Sequence, residues 1–385
     1  MKLKEVCKII GGNPAPKEGF SSSAEALPFV KMKDLGKAHL TNNLVEIETR
    51  IDPNFGRKKN MRIIKKGSVL LPRSGSVALN HRAILGQDSF MVSHICALEV
   101  ISKELFNEYL YYFLCTKRLD NITKKTTGLD AITFEDIGNI KINFPSLSEQ
   151  KKIVQILDTA DSLRQKRKEQ LKLIDDYLKS VFLEMFGDPV RNEKGWKVFK
   201  MLDICSKVTD GTHDKPKRLD SGVKFITGKH IKPFKIDYEN SDYVSRSDHE
   251  EIYRRCNPEK GDVLYTNIGV NVGTAALNTA EYPFSMKNVA LLKLTKEKVA
   301  PRYIESFLNY EFVRNDVLRK ISLGGAQQFI GLQDIKKIDI PIPSLDIQNK
   351  FVSIVEQVEQ TKQKMRASLA EMDNHFNALM QRYFG

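Results

Sequence analysis

The sequence predicts an α+β protein in which two similar globular domains alternate with two long helices that pair as an antiparallel coiled coil. The first observation is an internal repeat, since Ser146–Gly187 aligns without a gap on Ser344–Gly385 at an offset of 198 residues. The second is that neither copy contains Pro or Gly before its closing Gly. The third is that the segments preceding the two copies also match. A fixed internal period indicates one structural unit used twice. Either orientation of the two helices is sterically possible, and an antiparallel pair would relate the two copies by a pseudo-twofold axis.

Each copy of the repeat is predicted to form one helix that stops at its final glycine, because both are rich in strong helix formers. In the second copy, apolar residues recur at alternating steps of four and three from Phe351 to Tyr383, and only Lys362 in that series is polar. This is the heptad pattern of a coiled coil. The first copy carries a similar stripe that shifts near Arg167, so each helix is the expected partner of the other. The alternative is a pair of ordinary long core helices.

The globular segments repeat as well. The sequence KGSVL at Lys66–Leu70 matches KGDVL at Lys260–Leu264, and similar D-I-x-x-I stretches precede each helix. Short β-type runs and helical patches separated by Gly- and Asn-rich turns favour an α+β domain. The predicted organisation is a first domain at 1–145, a helix at 146–187, a second domain at 188–343 and a helix at 344–385.

Composition narrows the class of protein. A chain of 385 residues with 41% hydrophobic content is long enough for two or three cored domains. We find no apolar leader and no run long enough to span a bilayer, so we expect a cytoplasmic protein without membrane contact. The five cysteines are scattered without a C-x-x-C pair, which argues against a disulfide framework and against a zinc site.

The charge is unevenly distributed. Of the formal net charge of +13, residues 1–145 carry +7, residues 188–343 carry +5 and the two helices together carry +1. A polyanion would therefore bind to the globular segments. The nearly neutral helices, with apolar stripes to bury, are better suited to protein partners.

Several motifs together carry a resemblance to a known family. They are the D-I-x-x-I-x-I-x-x-P-S-L approach to each helix, FGDP at Phe186–Pro189 and DGTH at Asp210–His213. With the repeat, the whole chain resembles the specificity subunit of type I restriction-modification systems. The first domain departs from the pattern, because it has GGNPAP at Gly11–Pro16 where the second has DGTH.

The resemblance implies a role without catalysis. Each globular segment would be a target-recognition domain that reads one half of a bipartite, asymmetric site in double-stranded DNA. The helices would set the spacing and dock two methyltransferase subunits, and whether restriction (nuclease/translocase) subunits also join is left open. No cofactor is expected on this chain, since S-adenosylmethionine would be bound by the methyltransferase subunit.

Catalytic motifs are weak. The stretch DPNF at Asp52–Phe55 only approaches the (N/D)-P-P-(Y/F) loop of adenine methyltransferases, and no Gly-rich S-adenosylmethionine loop accompanies it. GVKFITGKH at Gly222–His230 has the wrong spacing for a P-loop. No histidine pair has metal-ligand spacing. The sequence therefore predicts a non-catalytic chain without a metal site.

Candidate DNA contacts fall into phosphate-binding and base-reading groups. Basic side chains ahead of the KGSVL strand suit phosphates: Arg57, Lys58, Lys59 and Arg62. Loops after the matched strands differ between the domains, and Arg favours guanine where Asn favours adenine. These loop candidates are Arg73, Ser74, Asn80, His81, Arg82, Asn267 and Asn271. A further loop of the second domain contributes Thr212, His213, Lys215, Lys217 and Arg218. For each of them the alternative is a surface residue that contacts no DNA.

Two hypotheses follow. In the first, the chain is a DNA-specificity subunit of a type I complex. In the second, it is a coiled-coil scaffold or adaptor whose basic domains bind nucleic acid nonspecifically or bind protein. Only the first predicts sequence-specific DNA methylation from a mixture with a cognate methyltransferase subunit.

Overall fold

A computed structural model describes residues 1–38, 43–74, 80–119, 131–269, 271–295, 297–321 and 329–385. The chain divides into two compact units. Unit 1 comprises Met1–Gln170 and Met365–Gly385, and unit 2 comprises Leu171–Lys364. Each unit thus contains one globular domain and one half of each long helix. The division differs from the four predicted segments because each domain packs against the adjoining helix halves.

Unit 1 consists of short helices and strands, the first part of the first long helix and the C-terminal residues Met365–Gly385. Its helices are α1 (Leu3–Val6), α2 (Met32–Ala38), α3 (Pro53–Lys58), α4 (Asn107–Cys115), α5 (Phe134–Gly138) and the first part of α6 (Leu147–Phe186). Its strands are β1 (Cys7–Gly11), β2 (Leu27–Val30), β3 (Asn43–Leu44), β4 (Arg50–Ile51), β5 (Val69–Pro72), β6 (Ala83–Leu85), β7 (Phe90–Met91) and β8 (Ile95–Val100).

Unit 2 follows the same order. Its helices are α7 (Met201–Ile204), α8 (Arg246–Arg255), α9 (Pro301–Asn309), α10 (Glu311–Ile321), α11 (Leu332–Lys336) and the first part of α12 (Leu345–Phe384). Its strands are β9 (Lys197–Lys200), β10 (Cys205–Asp210), β11 (Val223–Thr227), β12 (Ile231–Lys232), β13 (Lys235–Ile236), β14 (Asp242–Val244), β15 (Val263–Thr266), β16 (Ala275–Leu277), β17 (Ser285–Lys287), β18 (Val289–Leu294) and β19 (Asp339–Ile342).

Strand pairing confirms the duplication. The main sheet runs β1-β8-β5-β6-β3 in unit 1 and β10-β18-β15-β16 in unit 2. A smaller sheet in each domain has one central strand, β2 or β11, with an antiparallel neighbour on one side and a parallel neighbour on the other. The predicted α+β class with two similar domains is therefore confirmed.

The main sheet of each domain separates two hydrophobic cores, because successive side chains of a strand point to opposite faces. In β5, Val69 and Leu71 face the core shared with α4, α6 and α12, whereas Leu70 faces the smaller sheet. In β15, Val263 and Leu264 divide in the same way. One face of each sheet thus holds the long helices, and the other supports the smaller sheet.

The long helices α6 and α12 have 40 residues each, or about 60 Å at 1.5 Å per residue. They pair antiparallel: in unit 1, Arg164 of α6 bonds to Asp373 of α12. In unit 2, Lys362 of α12 bonds to Asp175 of α6. Arg164 and Lys362 are 198 residues apart, and so are Asp175 and Asp373. The predicted antiparallel, pseudo-twofold helix pair is therefore confirmed.

Each of these cations also bonds to a carboxylate of its own helix. Arg164 donates to Asp373 and to Asp161, both at 2.7 Å. Lys362, the one polar residue in the apolar heptad series, is buried and donates to Asp175 at 2.7 Å and to Glu359 at 2.9 Å. Burial lowers the pKa of Lys362, but the bonds to Asp175 and Glu359 raise it by more, so the pKa lies above its ordinary value.

A buried glutamine joins each domain to its helix. Gln150 accepts a hydrogen bond from the backbone N–H of Phe106 at 2.9 Å, next to the start of α4. Its repeat partner Gln348 accepts from the N–H of Ala300 at 2.8 Å, at the start of α9. Both side chains also donate to the carbonyl of the proline that precedes their helix. The repeated glutamine therefore fixes the start of each long helix against the globular domain that precedes it.

Within the described ranges, no helix is both long enough and apolar enough to cross a membrane. The same residues contain no group of three His, Cys, Asp or Glu side chains that could hold a metal ion. All five cysteines are free thiols, and Cys7, Cys96 and Cys256 are buried.

Candidate nucleic-acid interface

The loop after the first strand of the main sheet occupies the same place in both domains. A Cβ on Gly12 would overlap the carbonyl oxygen of Val92, and a Cβ on Gly211 would overlap that of Met286. The next residue donates its N–H to the strand of the smaller sheet: Asn13 to the carbonyl of Met91 at 2.8 Å, and Thr212 to that of Met286 at 3.0 Å. GGNPAP and DGTH are therefore structural equivalents, as their positions in the repeat suggested.

In the second domain, buried Asp210 anchors the DGTH loop. Its carboxylate lies 2.9 Å from Nε2 of His213 and accepts a hydrogen bond from Arg255 at 2.7 Å. Thr212 is also buried, and its hydroxyl accepts from the N–H of Asp214. His213 itself is exposed, as are most of the residues that follow it up to Arg218.

Arg218 is fixed at the far end of that loop. Its guanidinium lies 4.0 Å from the ring centroid of Phe225 and its Nε lies 3.3 Å from Asp242. Between these anchors, Lys215 and Lys217 are exposed and have no hydrogen bond or ion pair within the part of the chain that the structure describes. They are the two side chains of this loop best placed to bind an external anion.

The first domain places its cations elsewhere. Arg57 and Lys58 lie in the last turn of α3, which begins at the N-cap Asp52, and Lys59 follows as its C-cap. These three and Arg62 are exposed, and among the described residues none of the four has an ion-pair partner. The phosphate-binding candidates are thus brought together on one surface segment. That segment touches the GGNPAP loop, since the N–H of Arg62 donates to Oδ1 of Asn13 at 2.9 Å.

Arg73 and Asn267 are equivalent residues at the ends of β5 and β15. The carbonyl of Arg73 accepts from the N–H of Ile132, and that of Asn267 from the N–H of Ile330, both at 2.8 Å. Neither side chain is presented openly: Asn267 is 1% exposed, and neither of its amide atoms has a hydrogen-bond partner among the described residues. Nε of Arg73 is also buried, with no hydrogen-bond partner in the part of the chain that the structure describes, and the guanidinium lies 4.9 Å from the ring centroid of Phe134.

Unpaired buried polar atoms of this kind are uncommon. Beside Arg73, the hydroxyl of Ser74 lies 2.6 Å from Nδ1 of His94. The loop position is therefore matched between the domains, but Asn267 points inward, whereas Arg73 and Ser74 are half-buried.

Arg82 requires a correction. It is 0% exposed, and its guanidinium donates to the carbonyls of His81 and Lys117 and to Oδ1 of Asn80. Burial lowers its pKa to about 10. The polar sequence Asn-His-Arg suggested a surface loop, but the arginine is directed into the domain, where it holds the turn before β6. In this conformation Arg82 cannot contact DNA.

The neighbouring candidates are also engaged internally. Asn80 adopts a positive φ of 54° and accepts from Arg82. His81 is half-buried, and burial together with the charge of Arg82 lowers its pKa. In the second domain, Asn271 donates to the carbonyls of Gly228 and Ile231, each at 3.1 Å. The amide of Asn271 therefore stabilises a turn.

Sequence reasoning misses one residue of the matched loop, Asn13, and one residue that supports it from a neighbouring strand, Lys287. Asn13 lies in a segment unlike DGTH, and Lys287 lies about 75 residues from the loop that it contacts. The glycines are a usable signal, since Gly12 and Gly211 occupy equivalent positions where the chain passes close to another strand.

Comparison with known proteins agrees with this architecture. The sequence pattern of the type I restriction modification DNA specificity domain matches residues 1–173 and 193–372. The chain belongs to this family. It is a specificity subunit of the type I restriction-modification class, with two specificity domains in one chain.

Individual relatives are distant but cover most of the subunit. The Type I restriction enzyme MjaIX specificity subunit of Methanocaldococcus jannaschii is 22% identical over 382 residues, which is 92% of this chain and 85% of that protein. The EcoKI specificity subunit of Escherichia coli is 23% identical over 357 residues, which is 85% of this chain and 76% of that protein. The solved S subunit from M. genitalium shares the fold at a TM-score of 0.60 and 17% identity, covering 100% of this chain and 95% of that one.

Proposed function

We propose that this specificity subunit reads a bipartite, asymmetric site in double-stranded DNA, one half with each globular domain. The observation that carries the proposal is a duplicated framework whose equivalent loops differ in chemistry. Arg73 is replaced by Asn267 and Val92 by Lys287, whereas the strand pairing around them is the same. Side chains that differ in hydrogen-bonding pattern favour different base pairs, so the two halves of the site should differ in sequence.

The candidate phosphate contacts support DNA as the ligand. Exposed cations without ion-pair partners among the described residues are grouped on one segment of the first domain and on one loop of the second. Phosphate contacts of this type supply affinity and orientation, whereas base contacts supply specificity. The adaptor hypothesis does not explain why the cations gather beside a glycine loop that both domains retain.

The helices are the proposed docking site for two methyltransferase subunits. α6 carries large apolar side chains that remain exposed, among them Ile156 and Leu163 in unit 1 and Leu173 and Tyr177 in unit 2. Exposed apolar residues grouped on a helix commonly mark a protein contact. S-adenosylmethionine and the methyl-transfer chemistry would belong to those partner subunits, and restriction subunits could add to the same assembly.

The test is reconstitution. The chain, a cognate methyltransferase subunit, and their mixture are each incubated with genomic DNA and S-adenosylmethionine, and methylated adenines are mapped. We expect methylation at one bipartite sequence from the mixture only. Methylation that needs no specificity subunit, or that follows no sequence, would favour the adaptor hypothesis.

We further propose that the helix pair sets the spacer between the two half-sites. Because α6 and α12 pair antiparallel, both must lengthen together, so four residues are inserted after Lys168 and after Arg366, its repeat partner. The insertion adds about 6 Å and rotates each helix by about 40°. With about 3.4 Å per base pair, we expect the unread spacer to grow by one or two pairs while both half-sites stay the same.

The matched control carries the insertion in α6 alone, which misaligns the heptads and should reduce methylation at every site. An active double-insertion variant that kept its original spacer would show that the helices do not measure DNA.

A further inference from the structure

Lys287 is the last residue of β17 and lies beneath the DGTH loop. It is half-buried, and it forms a parallel bridge with Thr212. Its ammonium donates to the carbonyl oxygen of His213 and, at 2.7 Å, to that of Asp214. Two consecutive carbonyls of the loop are therefore held by one side chain.

Other cations surround this ammonium. The pKa of Lys287 is lowered by burial and then by the positive charges of Lys215 and Arg218, with only Asp214 acting in the opposite direction. A lysine in this setting would ordinarily turn toward solvent, where its charge is better hydrated. Its two carbonyl bonds keep it inside the loop, so the loop retains its shape at a cost in charge repulsion.

That shape leaves two side chains available. His213 is held by Asp210, and Arg218 by Asp242. Lys215 and Lys217, between those anchors, are exposed and make no hydrogen bond or ion pair within the described ranges. A loop fixed before binding loses less conformational entropy on binding than a mobile one.

In the first domain the equivalent loop is held without a lysine. Val92 takes the place of Lys287, as the bridges Asn13–Val92 and Thr212–Lys287 show. There the loop is held by a neutral contact, from the N–H of Arg62 to the side-chain oxygen of Asn13. The charged support is therefore specific to the second domain.

We propose that Lys287 is a positioning residue for DNA recognition by the second domain: its ammonium fixes the segment Thr212–Arg218 so that Lys215 and Lys217 meet DNA phosphates. This inference rests on the proposed function. Lys287 acts through the loop and does not itself read a base.

The experiment uses the full chain assembled with methyltransferase subunits and a duplex containing the site found by methylation mapping. Binding is measured by fluorescence anisotropy at several salt concentrations for Lys287→Met, Lys287→Arg and Lys215→Ala/Lys217→Ala. The matched control is Lys298→Met, which removes another lysine-to-carbonyl bond of 2.8 Å in the same unit, to Asp203. Melting temperatures are recorded for every variant.

We expect Lys287→Met to weaken binding about tenfold or more and to lower the salt slope by about 0.9 for each phosphate that the loop no longer neutralises, one or two in all. Lys215→Ala/Lys217→Ala should reproduce the change in slope, Lys287→Arg should recover part of the affinity, and Lys298→Met should bind like the wild type. Discrimination should fall for base changes in one half-site only, the half read by the second domain.

Wild-type affinity and slope in Lys287→Met would overturn the inference while leaving the proposed function in place. A lowered melting temperature in Lys287→Met, together with a wild-type slope in Lys215→Ala/Lys217→Ala, would make Lys287 a structural residue only and would also overturn it. Absence of sequence-specific binding in the wild-type complex itself would instead remove the proposed function, and this inference with it.

Discussion

The two halves of the helix pair match each other closely, whereas the loops of the two domains do not. On the helices, Arg164 with Asp373 and Lys362 with Asp175 repeat the same contact at the same offset. The loops are held differently in the two domains. In the first domain the side-chain oxygen of Asn13 accepts a hydrogen bond that holds the loop, whereas in the second the ammonium of Lys287 donates to the loop. The repeat has kept its symmetry where its two copies must fit together and has diverged in the loops expected to meet the ligand.

This difference follows from what each surface contacts. A helix that pairs with its own repeat constrains both copies, because a cation of one helix lies against a carboxylate of the other. A loop directed at an external ligand has no such constraint, provided that the strands beneath it are retained. The comparison therefore distinguishes residues of the shared framework from the loop residues that we propose contact DNA.

The largest expected effect comes from exchanging a whole domain. Residues 188–343 are replaced by the equivalent segment of another specificity subunit, and methylated adenines are mapped. Because each domain has its own cores on both faces of its sheet, one half of the methylated site should change and the other should remain. If both halves changed in a folded protein, the domains would not be independent.

The next largest effect is on the free energy of unfolding, when the glycines of the GGNPAP and DGTH loops are replaced. Gly12→Ala and Gly211→Ala each place a Cβ against a backbone carbonyl, which cannot move as a flexible side chain would. We expect each variant to lose about 1–3 kcal/mol of unfolding free energy in urea titration. Gly228→Ala is the control, because its Cβ would meet ordinary contacts of 3.4 Å and beyond. Equal stability in all three variants would contradict the close approach.

These outcomes bear on how much the sequence could predict. The repeat and the heptad series were sufficient for the two domains, the long helices and the apolar faces along which they pair, because periodicity records which face of an element is buried. The antiparallel orientation came from the family resemblance, because a heptad pattern permits either orientation. The exposure of the α3 cations also follows from sequence, because consecutive charged residues at the end of a short helix are rarely buried unless they are paired. The burial of Arg82 does not, because two of its three partners are backbone carbonyls, and one of these is 35 residues away at Lys117.

The same reasoning explains Asn267 and Lys287. Whether a polar side chain after a strand turns outward or inward depends on what the tertiary structure places above it, and local sequence does not encode this. Contacts between a loop and a strand distant in the chain, such as Lys287 with Asp214, are beyond any local pattern. The framework was therefore more predictable than the recognition surface that it supports.

The next prediction compares how much the two contacts between the helices, Arg164 with Asp373 and Lys362 with Asp175, contribute to stability. Arg164→Met removes two carboxylate bonds and a guanidinium 4.3 Å from the ring centroid of Phe376, so we expect the unfolding free energy to fall by about 1–3 kcal/mol. Lys362→Met places an apolar side chain in an apolar heptad position, and the carboxylates left behind are partly exposed, so its cost should be within about 1 kcal/mol.

Lys179→Met, which breaks an exposed pair with Asp176, is the control and should change stability by less than about 0.5 kcal/mol. Urea unfolding measures all three variants. A decrease of the same size for Arg164→Met and Lys179→Met would mean that the contact between the helices contributes no more than a surface pair.

The last prediction concerns the salt dependence of DNA binding. The two domains carry their exposed cations at different positions, but we expect the cations of both to bind phosphates. Replacing Arg57, Lys58 and Lys59 together by Ala removes three exposed charges that have no ion-pair partner among the described residues. The salt slope of binding should fall by about 0.9 for each phosphate left without its cation, and affinity should weaken similarly for cognate and unrelated duplexes. Lys33→Ala is the control, since that ammonium is already paired with Glu48 at 2.8 Å. An unchanged slope in the triple variant would show that this segment faces solvent in the complex, and the first domain would then have to hold DNA through its GGNPAP loop instead.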